Sequence, residues 1–129
     1  MHMFKILALI WLLFAFETSA DTVHSTLSVT DGLADNVVRS VVKDRYGFLW
    51  FGTNDGLSRY DGNEFVNYRY VVGQSDSLAD SSIQTLLVDS SGRLWIGSAK
   101  GLSLYHRQQD HFVNYFLNEQ RLNKQGSAV

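Results

Sequence analysis

The sequence predicts an all-β fold made of two four-stranded antiparallel meanders, and three observations carry that prediction. Leu33–Tyr60 and Leu78–Tyr105 repeat one another in register, 45 residues apart and without a gap. Each copy breaks into four short runs rich in Val, Ile, Leu, Tyr, Phe and Trp, punctuated by Asp and Gly, which is the pattern of strands joined by hairpins. The triplets Leu49-Trp50-Phe51 and Leu94-Trp95-Ile96 are continuously apolar, where a half-solvated sheet would alternate. Self-similarity of this period marks one supersecondary unit used repeatedly.

The elements follow in order along the 129 residues. Lys5, the apolar run Ile6 to Phe16 and the small residues up to Ala20 have the pattern of a secretory signal peptide over residues 1–20. As a helix, a run of this length reaches only about 16 Å, roughly half the hydrocarbon thickness, which favours export with cleavage over an uncleaved membrane anchor, the alternative reading. The mature chain is expected to begin near Asp21 in an extracytoplasmic space. Residues 21–32 are expected to supply an N-terminal strand, Thr26 to Val29.

The first unit, 33–69, has its runs at Val38 to Lys43, Phe48 to Gly52, Leu57 to Tyr60 and Glu64 to Arg69. After a linker at 70–77, the second unit, 78–116, has them at Ile83 to Val88, Arg93 to Gly97, Leu102 to Tyr105 and His111 to Phe116. Asp44 and Asp89 can accept from backbone N–H groups two residues on, and Gly47 and Gly92 supply the positive φ that closes each hairpin. Asn54-Asp55-Gly56 does the same for the next hairpin, with Gly101 as the counterpart of Gly56. Gly52 and Gly97, directly after the triplets, suggest close backbone approach between neighbouring units. Tyr60 and Tyr105 close the third runs, and Phe-Val-Asn-Tyr recurs at Phe65–Tyr68 and Phe112–Tyr115. Four strands in about 45 residues make the blade of a β-propeller. Propellers close with about four to eight blades, so two blades are expected to be a fragment of a larger ring, with 117–129 as the start of a next blade.

The recurring Asp-x-x-Gly-x-Leu-Trp-x-Gly-[Thr/Ser]-x-x-Gly-Leu-x-x-Tyr resembles the two-component regulator propeller repeat. The likeness runs from about Leu27 to Tyr115. The second copy departs from the pattern at Ser98, Ala99-Lys100 and His106-Arg107. The resemblance implies a larger, seven-bladed propeller, and with it an extracytoplasmic sensor at the periplasmic face of the inner membrane. The expected order of parts is a signal peptide, propellers, an immunoglobulin-like domain, a membrane span and a cytoplasmic output. That output is a histidine kinase, or alternatively a diguanylate cyclase. The implied partners are the remaining blades of the same parent chain and a small-molecule or carbohydrate ligand, and the membrane is met only through a downstream span.

Composition excludes other classes. Net charge is −2, so neither a nucleic-acid footprint nor a polybasic membrane patch is suggested. With no cysteine there is no disulfide, thiolate metal site or cysteine nucleophile. His2, His24, His106 and His111 lack metal-site spacing, although His106 and His111 could face one another across a hairpin. The Asp residues sit in turns without the alternating spacing of a calcium loop, and phosphate-loop and nucleophile-elbow motifs are absent. No catalytic, cofactor-binding or metal residue is therefore expected, and the segment is expected not to be an enzyme. Trp50 and Trp95 read as blade core at equivalent, buried positions where blades meet. Tyr46 and Tyr70, in loops, are the better ligand candidates. A secreted two-bladed lectin-like oligomer, and a propeller enzyme with its catalytic residues in other blades, are the alternative readings.

Overall fold

The computed structural model describes residues 25–116. The expected signal peptide, its cleavage site after Ala20 and the expected tail at 117–129 lie outside the described residues. Turn chemistry closes each copy into one sheet. The first holds β1 (Val38–Lys43), β2 (Leu49–Thr53), β3 (Gly56–Tyr60) and β4 (Phe65–Tyr68). The second holds β5 (Ile83–Val88), β6 (Leu94–Ser98), β7 (Gly101–His106) and β8 (His111–Phe116). Both sheets are antiparallel meanders in sequential order. The strand bounds fall within a residue of the predicted runs.

Registers repeat as well. Trp50 lies opposite Val42 and Arg59, and Trp95 opposite Leu87 and Leu104. The inner strand bulges at the same place in each copy, between Val38 and Ser40 and between Ile83 and Thr85. A bulge at a matching place adds the same bend and twist to both sheets, which lets them nest.

The lead-in departs from expectation. Residues 25–28 form no strand, and Val29–Asp31 make a 3-10 turn. A strand needs a neighbour to bond, and among the described residues none is offered there. The backbone is satisfied locally instead: the Ser28 N–H donates to Asp31 (2.9 Å) and the Val29 N–H to the Asn36 side chain (2.9 Å).

The core sits between the two sheets, which approach most closely along β1 and β5. Trp50, Leu57, Ile83, Leu86, Ile96, Tyr105 and Phe112 are buried there. Each blade turns one face toward the other and one away, so equivalent residues differ sharply. Val38 and Val41 are 38% and 51% exposed, whereas their counterparts Ile83 and Leu86 are 0% and 6% exposed.

Gly52 shows how tight the seam is: a Cβ built there would lie 2.7 Å from Ile83 Cγ2. Gly52 thus leaves room for the Ile83 and Leu86 side chains of the other sheet. At Gly97 the nearest atom is Thr85 Cγ2 of the same sheet, at 2.6 Å, because that face of the second blade has no neighbour among the described residues. Gly52→Val is expected to destabilise the chain by about 1–3 kcal/mol through overpacking, read as a lowered urea midpoint. An unchanged midpoint would show that the seam is looser than drawn.

Candidate functional site

The hairpin aspartates carry more than their turns. Asp44 Oδ1 accepts from the N–H groups of Tyr46 (2.9 Å) and Phe48 (3.0 Å), the Asx-type closure expected from sequence. Its Oδ2 accepts from the Trp50 indole N–H at 2.8 Å and from Arg107 of the second blade at 2.7 Å. One carboxylate thus ties its own turn, its own blade's tryptophan and the neighbouring blade. Its side chain is only 3% exposed. The Arg107 guanidinium also lies 3.7 Å above the Tyr46 ring.

Asp89 repeats the turn. It accepts from Ser91 N–H (2.9 Å), Arg93 N–H (2.9 Å) and the Trp95 indole (3.0 Å). Here the arginine is the blade's own, Arg93, with Nε 2.7 Å from Oδ2. The Trp95 indole bond, then the Arg93 backbone bond and side chain, hold the Asp89 carboxyl well below the usual range.

A second polar group spans the seam beside them. The hydroxyls of Tyr68 and Tyr105 both donate to Asp110 Oδ1 at 2.6 Å, and Arg59 Nη1 donates to the Tyr105 oxygen at 3.0 Å. Burial first, then the bonds to Asp110, push both phenols up. Burial opposes ionisation of Asp110, but the two hydroxyl bonds and the Arg59 charge outweigh it and hold that carboxyl low.

The remaining repeat residues have local roles. Gly47 (φ 89°) and Gly92 (φ 78°) close the hairpins in the left-handed region. Gly56 and Gly101 begin β3 and β7 and are buried. Tyr60 stacks on Phe65 with centroids 4.6 Å apart, and Tyr105 meets Trp50 edge-on at 4.9 Å.

The two tryptophans occupy equivalent positions, but only Trp50 is fully buried. Trp95 is half-buried. Its face has no second sheet against it among the described residues; the Tyr115 ring and the Arg93 guanidinium lie beside it. Tyr46 and Tyr70 are exposed, as expected for loop aromatics. Tyr46 borders a shallow cleft of about 360 Å³ with Arg93, His106 and Arg107. His106 and His111 do face one another, with ring centroids 5.4 Å apart. Among the described residues no group of three or more metal-ligating side chains converges.

Sequence reasoning missed a second recurring tie. Ala34 N–H donates to Ser58 Oγ (2.9 Å), Ser58 Oγ bonds Asn67 Oδ1 (2.7 Å), and Asn67 Nδ2 donates to the Gly32 carbonyl (2.7 Å). Ala79, Ser103, Asn114 and the Ser77 carbonyl repeat it at 3.1, 2.6 and 2.7 Å. The signal lay in the sequence, in the recurring Gly-Leu-Ser and Phe-Val-Asn-Tyr. Every buried side-chain polar atom among the described residues has a partner, so the seam is a satisfied structural network.

Comparison with known proteins agrees with this geometry. Residues 32–55 and 77–100 match the family described as two component regulator propeller. A stretch of 51 residues is 37% identical to Histidine kinase P4 of Formosa agariphila, covering 40% of this chain and 4% of that protein. The fold is similar to the extracellular domain of a hybrid two component system of B. thetaiotaomicron, with TM-score 0.66 and 28% identity over 74% of this chain and 14% of that one. The extracellular domain of a one component system from the same organism shares the fold, with TM-score 0.59 and 24% identity over 70% of this chain and 13% of that one. The chain therefore spans a small fraction of each protein it matches, and the structural likeness is to extracellular portions.

Two outcomes follow from the polar seam. Asp44→Ala leaves Arg107 and the Trp50 indole without their acceptor, and is expected to cost about 3–5 kcal/mol. Asp89→Ala, whose arginine partner is exposed and belongs to the same blade, should cost clearly less, and urea unfolding followed by tryptophan emission compares them. Asp89 and Asp110 both titrate below the unfolded carboxylate value of about 3.9. Their contribution is present above that pH and is lost as pH falls through the depressed folded values. Stability should therefore decline below about pH 4, and Asp110→Asn should flatten the decline; the same slope in both proteins would remove Asp110 from the account.

Proposed function

From a chain that carries two two-component regulator propeller repeats, we propose the function of a ligand-sensing segment that lies outside the cytoplasmic membrane, in a transmembrane receptor with a histidine kinase output. The observation that carries this reading is the likeness, at TM-score 0.66, to the extracellular domain of a hybrid two component system. The histidine kinase relative supports the choice of output, and the apolar N-terminal run with its small-residue end supports export.

In this reading the segment binds and does no chemistry. The hairpins form a fixed frame, and the exposed loops that join strands are free to differ from blade to blade and to contact a small molecule or carbohydrate. Remaining blades of the parent chain complete the ring. Ligand binding would bias how the propeller presents its ends to the membrane-proximal part, and the output would respond to that bias.

A reporter fusion tests the placement. Residues 1–116 joined to a phosphatase active only outside the cytoplasm should give activity, and mass spectrometry should find a processed start near Asp21. The parental reading frame should continue through further repeats to a membrane span and a kinase core. A cytoplasmic product would overturn the localisation. A secreted, discretely oligomeric two-blade product with no downstream span would replace the receptor with the lectin-like reading.

A further inference from the structure

We infer that the further blade which the propeller reading places on the outward face of the second blade, around Trp95, carries no cation where blade 2 carries Arg107. The inference rests on the propeller reading and adds which neighbour fits.

The observed seam is the template. Blade 1 offers it Ser40, Trp50, Gly52 and Tyr68. Ser40 Oγ accepts the Leu86 N–H at 3.1 Å, Gly52 makes room for Ile83, and the Tyr68 hydroxyl reaches Asp110 at 2.6 Å. Blade 2 presents Thr85, Trp95, Gly97 and Tyr115 at the equivalent positions, all on its unpartnered face. Leu87, Leu102 and Tyr115 there are 59%, 47% and 53% exposed. Thr85, Leu87, Trp95, Gly97 and Leu102 border an apolar hollow of about 460 Å³, lying where the template seats its branched side chains. Exposed apolar surface of this kind marks an interaction site.

The occupant is another blade because the template demands more than apolar bulk. It needs branched aliphatics at the Ile83 and Leu86 positions, and a carboxylate at the Asp110 position to receive a tyrosine hydroxyl. A second copy of this chain would present Val38 and Val41, but Asn63, two residues before Phe65, where Asp110 stands two before Phe112. The hydroxyl of Tyr115 would then lose its charged acceptor. The chain also spans only 14% of a similar extracellular domain, which leaves room for further blades in one parent.

The charge rule comes from a position where the two faces differ in charge, Phe48 in blade 1 and Arg93 in blade 2. In blade 1, Asp44 Oδ2 is completed by the neighbour's Arg107 at 2.7 Å, and that guanidinium lies 5.2 Å from the ring of Phe48. Phe48 corresponds to Arg93 in blade 2. Arg93 occupies Asp89 Oδ2 at 2.7 Å, so the seat is already taken. A second guanidinium arriving there would meet Arg93 over a single carboxylate, and like charges at an interface select against that partner.

The test extends the chain in frame after Phe116 with a copy of its own residues 70–116. The added copy carries Trp95→Phe, so that emission reports only the original tryptophans. It is made with Arg107 kept or changed by Arg107→Gln, each in the native and Arg93→Phe backgrounds. Acrylamide quenching reads the shielding of Trp95, and urea unfolding reads docking. The Gln form should shield Trp95 better in the native background, and Arg93→Phe should reverse the order. The docked fraction should change roughly fivefold, the size expected of coupled charges in contact.

Equal docking of all four forms would overturn the charge rule. Trp95 remaining fully quenchable in every folded form would overturn the blade-docking face. Shielding of Trp95 by self-association of the unextended chain would assign the face to a second copy. Equal docking of all four forms leaves the receptor reading intact, because the reporter fusion and the parental reading frame test that reading separately, whereas self-association of the unextended chain would count against both. Should the extended chains fail to fold, the natural next repeat decides: a neutral or acidic residue is expected at the Arg107 position, and Lys or Arg there, or no further repeat, would overturn the inference.

Discussion

A four-stranded meander whose strands are apolar on both sides cannot bury itself. This constraint governs the rest of the structure. Hydrogen bonds within each sheet satisfy the backbone, yet Trp50, Leu57, Ile83 and Leu86 leave water only because the two sheets stack. Gly52 lets them approach, and the matching bulges in β1 and β5 give both sheets the same bend. The stacking is head to tail: different faces of an identical unit meet, so the arrangement propagates and leaves a complementary face at each end.

The consequence is visible in pairs of residues that the sequence makes equal and the structure makes unequal. Trp50 and Trp95 share a strand position, a register and an aspartate acceptor, and one is buried while the other is half exposed. Val41 and Leu86 show the reverse, because they point to the opposite faces of the stack. Burial here belongs to the neighbour and not to the residue. Asp44 and Asp89 make the same point electrostatically. Each completes its hydrogen bonding with an arginine, but Asp44 draws it from the next blade and Asp89 from its own. A carboxylate that ties turn, tryptophan and neighbour together couples hairpin formation to blade docking, so local and long-range structure support one another.

Most of the fold was legible because the repeat supplied a second reading of each element. Turn residues identified by type in one copy recurred in the other, and the eight strands fall within a residue of the predicted runs. Thr26 to Val29, expected as a strand from the resemblance and expected to lack a partner in this chain, pairs with nothing among the described residues. The seam was only partly legible. Gly52 announced close packing, but Arg107 reaches Asp44 from 63 residues away and Tyr68 reaches Asp110 from 42. Arg107 and Asp110 lie in the turn where the second copy gains two residues and departs from the first, so repetition could not flag them. Ser58 and Asn67, with Ser103 and Asn114, are the opposite case. Their recurrence was plain, and only the three-dimensional arrangement shows that they fasten each lead-in segment to its sheet.

The division of labour between repeated and unrepeated residues bears on the proposed sensing role. The repeated set, from Asp44 to Tyr60 and from Asp89 to Tyr105, is spent on turns, strand pairing and stacking, and its buried polar atoms are satisfied. Such residues change only at a cost in stability. Residues that vary between the copies collect at the loops: Arg45-Tyr46 against Ser90-Ser91, Asn54-Asp55 against Ala99-Lys100, and Asp61-Gly62 against His106-Arg107. Most of those positions carry exposed side chains, while Arg107 and Arg45 join frame and loop, Arg107 at Asp44 and Arg45 at the Ser91 carbonyl of the other blade. In the proposed receptor reading, such loops can change what they contact without altering the stack. Contact at a loop that includes Arg107 would act directly on the seam, because the guanidinium beside Tyr46 is the same one that holds Asp44.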